Sequence, residues 1–152
     1  MKIMITGCHG QLGNELQSIL KSGKSEIGAA PAGVLGAEIL PVDIDTLDIS
    51  NMAAVSDYVN TNKPDVIINC AAYTNVDAAE TNEELAEKLN AEAPENLAKA
   101  IKEVGGLLIQ ISTDYVFGKE PYNVPCKEDQ QGTPTGVYGM SKLHGEQKIM
   151  AV

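Results

Sequence analysis

The segment Lys2-Ile3-Met4-Ile5-Thr6 runs without interruption into Gly7-Cys8-His9-Gly10-Gln11-Leu12-Gly13. A short apolar, β-branched segment of that kind reads as a buried strand. From Gly10 to Leu20 the apolar residues Leu12, Leu16, Ile19 and Leu20 recur at helical spacing. A strand that reaches a helix through three glycines in seven residues has few ways to fold. Glycines let the backbone turn tightly, approach a pyrophosphate and seat the helix against a sheet. The helix N-terminus then offers N–H groups and the positive end of its dipole to an anion. The spacing is G-x-x-G-x-x-G, not the G-x-G-x-x-G of dinucleotide folds, so a plain strand-to-helix turn remains open. Cys8 and His9 fill the variable positions, and His9 reads as a loop residue.

The same alternation continues along the chain. Ser22 to Gly36, rich in Gly, Ala, Pro and Ser, reads as a loop. Glu38 to Val42 predicts a second strand ending at Asp43, and Asn51 to Asn62 an amphipathic helix stopped by Lys63-Pro64. Asp65 to Cys70 is a continuous apolar run of strand length, typical of a parallel sheet covered on both faces. A long helical stretch from about Val76 to Val104 is expected to break near Pro94 and to close at Gly105-Gly106. Leu107 to Ile111 predicts another buried strand. Ser112 to Thr135, with Gly118, Pro121, Pro125, Gly132 and Pro134, reads as irregular, and Val137 to Met150 resumes helical patterning. Strands alternating with helices predict an α/β, Rossmann-like, doubly wound parallel sheet forming one nucleotide-binding domain over residues 1–152.

Composition narrows the function. A formal charge of −10 without a basic run argues against nucleic acid, whose phosphates demand clustered Lys and Arg. Much of the acidity lies at Asp77, Glu80, Glu83, Glu84, Glu87, Glu92 and Glu95, read as the solvated face of a helix. No apolar run approaches the ~20 residues that span a bilayer, and the N-terminus lacks a signal-peptide pattern. A cytoplasmic protein is therefore expected. Cys8, Cys70 and Cys126 are odd in number and lack CxxC spacing, so neither a disulfide framework nor zinc is indicated.

Near the C-terminal end stands Tyr138-Gly139-Met140-Ser141-Lys142. A Tyr four residues before a Lys in a helix puts a phenol and an ammonium on one face. Reduction of a ketone needs hydride at carbon and a proton at the developing alkoxide. A phenol near pKa ~10 serves poorly unless its ionised form is stabilised, and a neighbouring ammonium does that. Thr113, just beyond the last strand, would give the substrate oxygen a second hydrogen bond. Asp43 is placed to accept from an adenosine ribose. Asp48 is a second acid nearby, with helix capping by it or by Ser50 as the plainer reading. Small residues at Ala71 and Ala72 permit close approach of a flat ligand, or tight helix–sheet packing. His144 reads as a surface helix residue.

Four segments together resemble the extended short-chain dehydrogenase/reductase family of nucleotide-sugar metabolism, and within it the dTDP-4-dehydrorhamnose reductases. They are Met4 to Gly13, Pro64 to Glu80 (PDVIINCAAYTNVDAAE), Ser112 to Phe117 (STDYVF) and Val137 to Glu146 (VYGMSKLHGE). The second and third together are far more specific than the glycine loop or the Tyr–Lys pair. The resemblance implies NADPH or NADH as cofactor, held by Gly7, Gly10, Gln11, Leu12 and Gly13 at the pyrophosphate and Asp43 at the ribose. It further places Asp48 and Ile49 near the adenine, and has Ala71, Ala72 and Tyr73 line the cofactor site. Thr113, Tyr138 and Lys142 would be catalytic, with Tyr138 and Lys142 also touching the cofactor. Thr113 and Asp114 would lie near the sugar, and no metal is implied. The implied reaction reduces the 4-keto group of dTDP-4-dehydro-6-deoxy-L-mannose to dTDP-L-rhamnose. The alternative is a non-catalytic dinucleotide-binding subunit like the regulatory subunit of methionine adenosyltransferase.

Two departures from the family qualify this. The Ser22–Gly36 loop is long, and the short interval from Asp43 to Asp48 leaves little room for the usual strand. Family members continue for roughly as many residues again, and that half supplies most of the sugar-nucleotide pocket. The chain by itself is thus expected to fold, bind dinucleotide weakly, leave the sugar unreduced and form a homo-oligomer through an exposed apolar face.

Overall fold

The computed structural model describes residues 1–119 and 124–152; Pro121, counted above among the breakers, lies outside the described residues. The chain runs β1 (Lys2–Thr6), α1 (Gln11–Ser22), β2 (Lys24–Ser25), β3 (Gly28–Ala29), β4 (Glu38–Val42), α2 (Met52–Asn62) and β5 (Val66–Asn69). It continues through α3 (Val76–Ala79), α4 (Glu83–Glu87), a π-helical turn (Lys88–Glu92), α5 (Ala93–Glu103), β6 (Leu107–Gln110) and α6 (Val137–Met150). Short 3₁₀ turns occupy Ala32–Val34 and Asp114–Phe117. Two compact units result, one from Met1–Ala71 with Asn96–Ile111, the other from Ala72–Glu95 with Ser112–Val152.

The first unit holds a four-stranded sheet in the order β4-β1-β5-β6, all parallel. Counting only its own strands, the order is 2-1-3-4, so the winding reverses between β1 and β5. That is the switch point at which doubly wound folds bind ligands. The register aligns Thr6 with Val42 and Asn69, and Asn69 with Gln110, so all four strands end level. Ile3, Met4, Ile5, Val42, Val55, Val59, Ile67, Leu97 and Ile101 are buried and form the core. Pro41 is tolerated in β4 because that strand is an edge, where a missing N–H breaks no ladder. The ends of β1, β5 and β6 are tied by side chains. The Thr6 hydroxyl donates to Asn69 Oδ1, and Asn69 Nδ2 donates to Gln110 Oε1 at 2.7 Å.

Several expectations need correction. Ser22–Gly36 is not plain loop: β2 and β3 pair as a small antiparallel hairpin there. The strand at Leu107–Ile111 is not buried: Leu107, Ile109 and Ile111, alternate residues that share one face of the edge strand β6 and its continuation, are all exposed. Neither Asp48 nor Ser50 caps α2; Asn51 does, its Oδ1 accepting from Ala54 N at 3.2 Å. The expectation of little or no strand between Asp43 and Asp48 holds, since Thr46 and Leu47 N–H groups both turn back to Asp43 O at 2.8 Å.

In the second unit the helix does not break at Pro94; the interruption falls at residues 80–82, between α3 and α4. A proline in an α-helix clashes with the carbonyl four residues back. Here that carbonyl belongs to Asn90, and the preceding turn widens to i→i−5 geometry, with Ala93 N bonded to Lys88 O. Helix α6 packs on this widened turn at Gly145, where a Cβ would fall inside the van der Waals shell of Asn90 O. The acidic residues are also more than a solvated face. Glu80 accepts from Val137 N at 2.8 Å, Glu87 pairs with His144 at 3.0 Å and Glu95 with Lys148 at 2.9 Å, fixing α6 along its length.

Candidate active site

Each sequence-predicted residue falls into one of the two units, and each group has its own chemistry. In the first unit, Gly7 takes φ +61°, a left-handed conformation that suits glycine. A Cβ at Gly7 would sit 2.8 Å from Ala71 N, so the loop can lie directly against the end of β5. Gly13 is buried, and a Cβ there would intrude on Gly7 O, which explains the third glycine as helix packing. Gly10 is the N-cap of α1 and offers no side chain to satisfy the first N–H groups, and no acid occupies the first turn. Backbone donors at Gln11, Leu12 and Gly13 are thus free of side-chain caps, an arrangement that suits an anion.

Asp43 stands beyond β4 and is tied to this loop. Its carboxylate accepts from His9 N at 2.9 Å and from Ile44 N at 2.9 Å. Burial alone would raise its pKa. The two N–H bonds and the adjacent His9 ring outweigh that, and hold it below the ordinary carboxylate range. Cys8 is buried behind the loop, and burial together with the negative charges of Asp43 and Asp45 pushes its thiol pKa up. Asp48 is exposed and binds Ser50 through N–H and hydroxyl at 2.9 and 2.6 Å, while Ile49 is buried. Ala71 N lies 3.3 Å from Asn69 Oδ1, which keeps the end of β5 close-knit.

The second unit carries Ala72, Tyr73, Thr113, Asp114, Tyr138 and Lys142. Thr113 Oγ1 accepts from Tyr115 N at 3.3 Å and so starts the 3₁₀ turn, with Asp114 Oδ1 within 3.3 Å of the hydroxyl. The rings of Tyr115 and Tyr138 meet edge to face, centroids 5.4 Å apart. A Cβ at Gly139 would fall 2.5 Å from Tyr115 O. Glycine at 139 therefore brings the turn bearing Thr113 up to the first turn of α6, beside Tyr138. Lys142, one turn later, is buried at 4% exposure. Burial pushes its pKa down and the Glu146 carboxylate pulls it partly back. Glu146 is in turn held by the Ser112 hydroxyl.

That burial gives a testable sign. A lysine whose folded pKa lies below its unfolded value makes the unfolded chain bind more protons between the two. Stability then rises as pH climbs through that window, and below it the fold carries the burial cost in full. Lys142→Met should therefore raise stability by about 1 kcal/mol at neutral pH and remove the alkaline rise. Denaturant melts of both proteins across pH 7 to 11 check it; a loss of stability on substitution would show that Lys142 stabilises the fold.

Two residues escaped the sequence reading. Asn90 is buried in the π-turn, accepting from Tyr73 N at 2.8 Å and donating to Tyr73 O at 3.1 Å and to Ser141 Oγ at 3.0 Å. Ser141 donates to Tyr138 O at 2.8 Å. Asn90 thus fixes Tyr73 on one side and the Tyr138 turn on the other. The available signal was an asparagine, a weak helix former, inside a helical stretch and four residues ahead of a proline.

The chain is 41% identical to a dTDP-4-dehydrorhamnose reductase of Mycobacterium tuberculosis, over 99% of this chain and 46% of that protein. Among solved structures, a dTDP-4-dehydrorhamnose reductase from Clostridium acetobutylicum superposes with TM-score 0.87 at 44% identity, covering 99% of this chain and 49% of that one. One from Bacillus anthracis, crystallised with NADP, gives TM-score 0.83 at 37% identity over 99% and 50%. The chain therefore spans about half the length of the relatives it matches. The family described as RmlD substrate binding domain matches residues 1–152, and the chain belongs to that family.

Proposed function

We propose that this chain is the NAD(P)-binding Rossmann domain of a reductase that converts the 4-keto group of dTDP-4-dehydro-6-deoxy-L-mannose to the alcohol of dTDP-L-rhamnose. The observation that carries the reading is a buried Lys142 one helical turn from Tyr138, with Thr113 held against that same turn through Tyr115. The uncapped α1 and the tight approach of Gly7 to Ala71 fit a dinucleotide pyrophosphate, since a Cβ would fill the space the backbone needs. When bound, the cofactor would supply hydride to the keto carbon. Tyr138 gives its phenolic proton to the oxygen as charge develops there. Lys142 stabilises the phenolate left behind and supports the nicotinamide ribose, and Thr113 donates to the same substrate oxygen. Asp114 serves the sugar. Gly7, Gly10, Gln11, Leu12 and Gly13 take the pyrophosphate, Asp48 and Ile49 the adenine side, and Ala71, Ala72 and Tyr73 the flat face of the cofactor.

The relatives named above are reductases, and retention of Thr113, Tyr138 and Lys142 favours an enzyme over the non-catalytic binding subunit. The protein at the full length of its relatives should oxidise NADPH or NADH only when the keto-sugar is supplied. Turnover with a different nucleotide keto-sugar and none with this one would keep the reaction and overturn the substrate. The chain alone should bind dinucleotide weakly and reduce nothing, because the sugar pocket of such enzymes needs the other half. Exposed Leu107, Ile109 and Ile111 along β6 support self-association, which sedimentation velocity would reveal; a monomer at all concentrations would refute it. Among the described residues no helix is long and apolar enough to cross a membrane, and a cytoplasmic enzyme is inferred.

Either nicotinamide cofactor is proposed to bind. Asp43, held ionised by two backbone N–H groups, favours a ribose hydroxyl over a 2′-phosphate. Asp43→Ala should weaken NADH by about 10- to 100-fold, the worth of hydrogen bonds to a charged group, and NADPH far less. Titrating both cofactors against both proteins measures this; an unchanged ratio would remove Asp43 from the ribose.

A further inference from the structure

The Cys8 thiol, the His9 ring and the Asp43 carboxylate offer donor atoms that all lie within 4.8 Å of one another. We propose that these three side chains form a site for a thiophilic divalent cation such as Zn²⁺, and that the cation and the dinucleotide exclude one another there. The exclusion rests on the adenosine-ribose role given to Asp43 above; the cation site does not.

The geometry is close to what such an ion needs. Metal–sulfur and metal–nitrogen bonds of about 2.3 and 2.0 Å set tetrahedral donors about 3.3 to 3.8 Å apart. His9 Nδ1 already stands 3.7 Å from Asp43 Oδ2. Bringing every pair from within 4.8 Å into that range takes a contraction of about 1.5 Å at most, and the His9 side chain is 69% exposed. Asp43 is fixed by its two backbone bonds, and Cys8 is held in the buried wall of the loop. Two of the three donors are thus held in place, beside an exposed imidazole ring. The carboxylates of Asp43 and Asp45 beside the loop place negative charge where a cation would sit; on binding, the thiol proton leaves to solvent and the thiolate becomes the ligand. Three protein donors with a fourth position open to water match accessible zinc sites. Chain spacing hides this constellation, since Asp43 lies 34 residues beyond His9.

Cobalt(II) tests the site directly, because a thiolate ligand gives it an intense charge-transfer absorption in the near ultraviolet. The Cys126→Ser chain, freed of its exposed thiol, should develop that band at about one equivalent, and Cys8→Ser should abolish it. His9→Ala, a change at an exposed side chain, should weaken Co²⁺ by about tenfold or more while leaving NADH binding within about twofold. NADH, whose ribose hydroxyl takes Asp43, should bleach the band, and saturating Co²⁺ should raise the apparent NADH dissociation constant by about tenfold or more. Absence of the band, or its survival in Cys8→Ser, would overturn the cation site. Simultaneous binding of Co²⁺ and NADH would overturn the exclusion. Should NADH fail to bind with or without Co²⁺, the dinucleotide reading is what falls, and the band alone decides the cation site.

Discussion

Tyr138→Phe, in the protein at the full length of its relatives, should lower kcat by about 10²- to 10⁴-fold, the range expected for loss of a positioned proton donor. The same change should leave the NADPH dissociation constant within about threefold. The substitution removes one oxygen and keeps the ring, so the edge-to-face packing on Tyr115 at 5.4 Å persists and the 3₁₀ turn bearing Thr113 stays in place. The backbone bonds that set the turn also persist, since Ser141 bonds Tyr138 through its carbonyl. A fall in kcat with intact binding therefore isolates the proton. Stopped-flow NADPH oxidation with the keto-sugar, paired with fluorescence titration of the cofactor, separates the two quantities. A near wild-type rate would strip Tyr138 of the donor role. Equal losses of rate and of cofactor affinity would instead show that the phenol's main work is to hold the dinucleotide.

Gly145→Ala should destabilise the chain by about 3 kcal/mol, the upper range for overpacking. For a chain of this size that lowers Tm by about 6 to 12 °C. The added methyl has nowhere to go. It would meet the backbone oxygen of Asn90, which no rotamer change can move. Relief requires shifting α6 or closing the π-turn, and the π-turn is what lets the helix pass Pro94. Because Asn90 bonds both Tyr73 and Ser141, the displacement should also loosen the Tyr138 turn. Gly33→Ala supplies the control, since nothing lies within 4 Å of a Cβ there and its φ is not positive. It should leave Tm unchanged or raise it slightly. If both variants melt alike, the close approach of α6 to Asn90 is not a feature of the protein in solution.

The parallel sheet and the glycine loop at the end of its first strand were legible in the sequence because their signals are local. A continuous apolar strand, a glycine-rich turn and a helix of period 3.6 each declare themselves within a dozen residues, as at Lys2–Leu20 and Asp65–Cys70. Parallel pairing then follows from alternation alone, and level strand ends bring the first glycine loop and Asp43 to one edge. Likewise Tyr138 and Lys142 share a helix face by spacing alone.

What the sequence could not decide depends on the groups that different segments bring together. Pro94 predicts a break, but a wider turn and a glycine on α6, 51 residues away, allow the helix to continue. The strand at Leu107 carries the composition of a covered strand, yet one of its faces, bearing Leu107 and Ile109, is exposed, and which face is covered is decided by the elements packed on it. Asn90 looks like an ordinary helix residue until Tyr73 and Ser141 are beside it. Cys8 and His9 look like loop filler until β4 delivers Asp43. Residue type and local period determined the fold class, the glycine loop and the Tyr–Lys pair. Contacts across long sequence separation, where close packing and hydrogen-bond satisfaction admit one partner and exclude others, decided which helices could approach and which donors could converge.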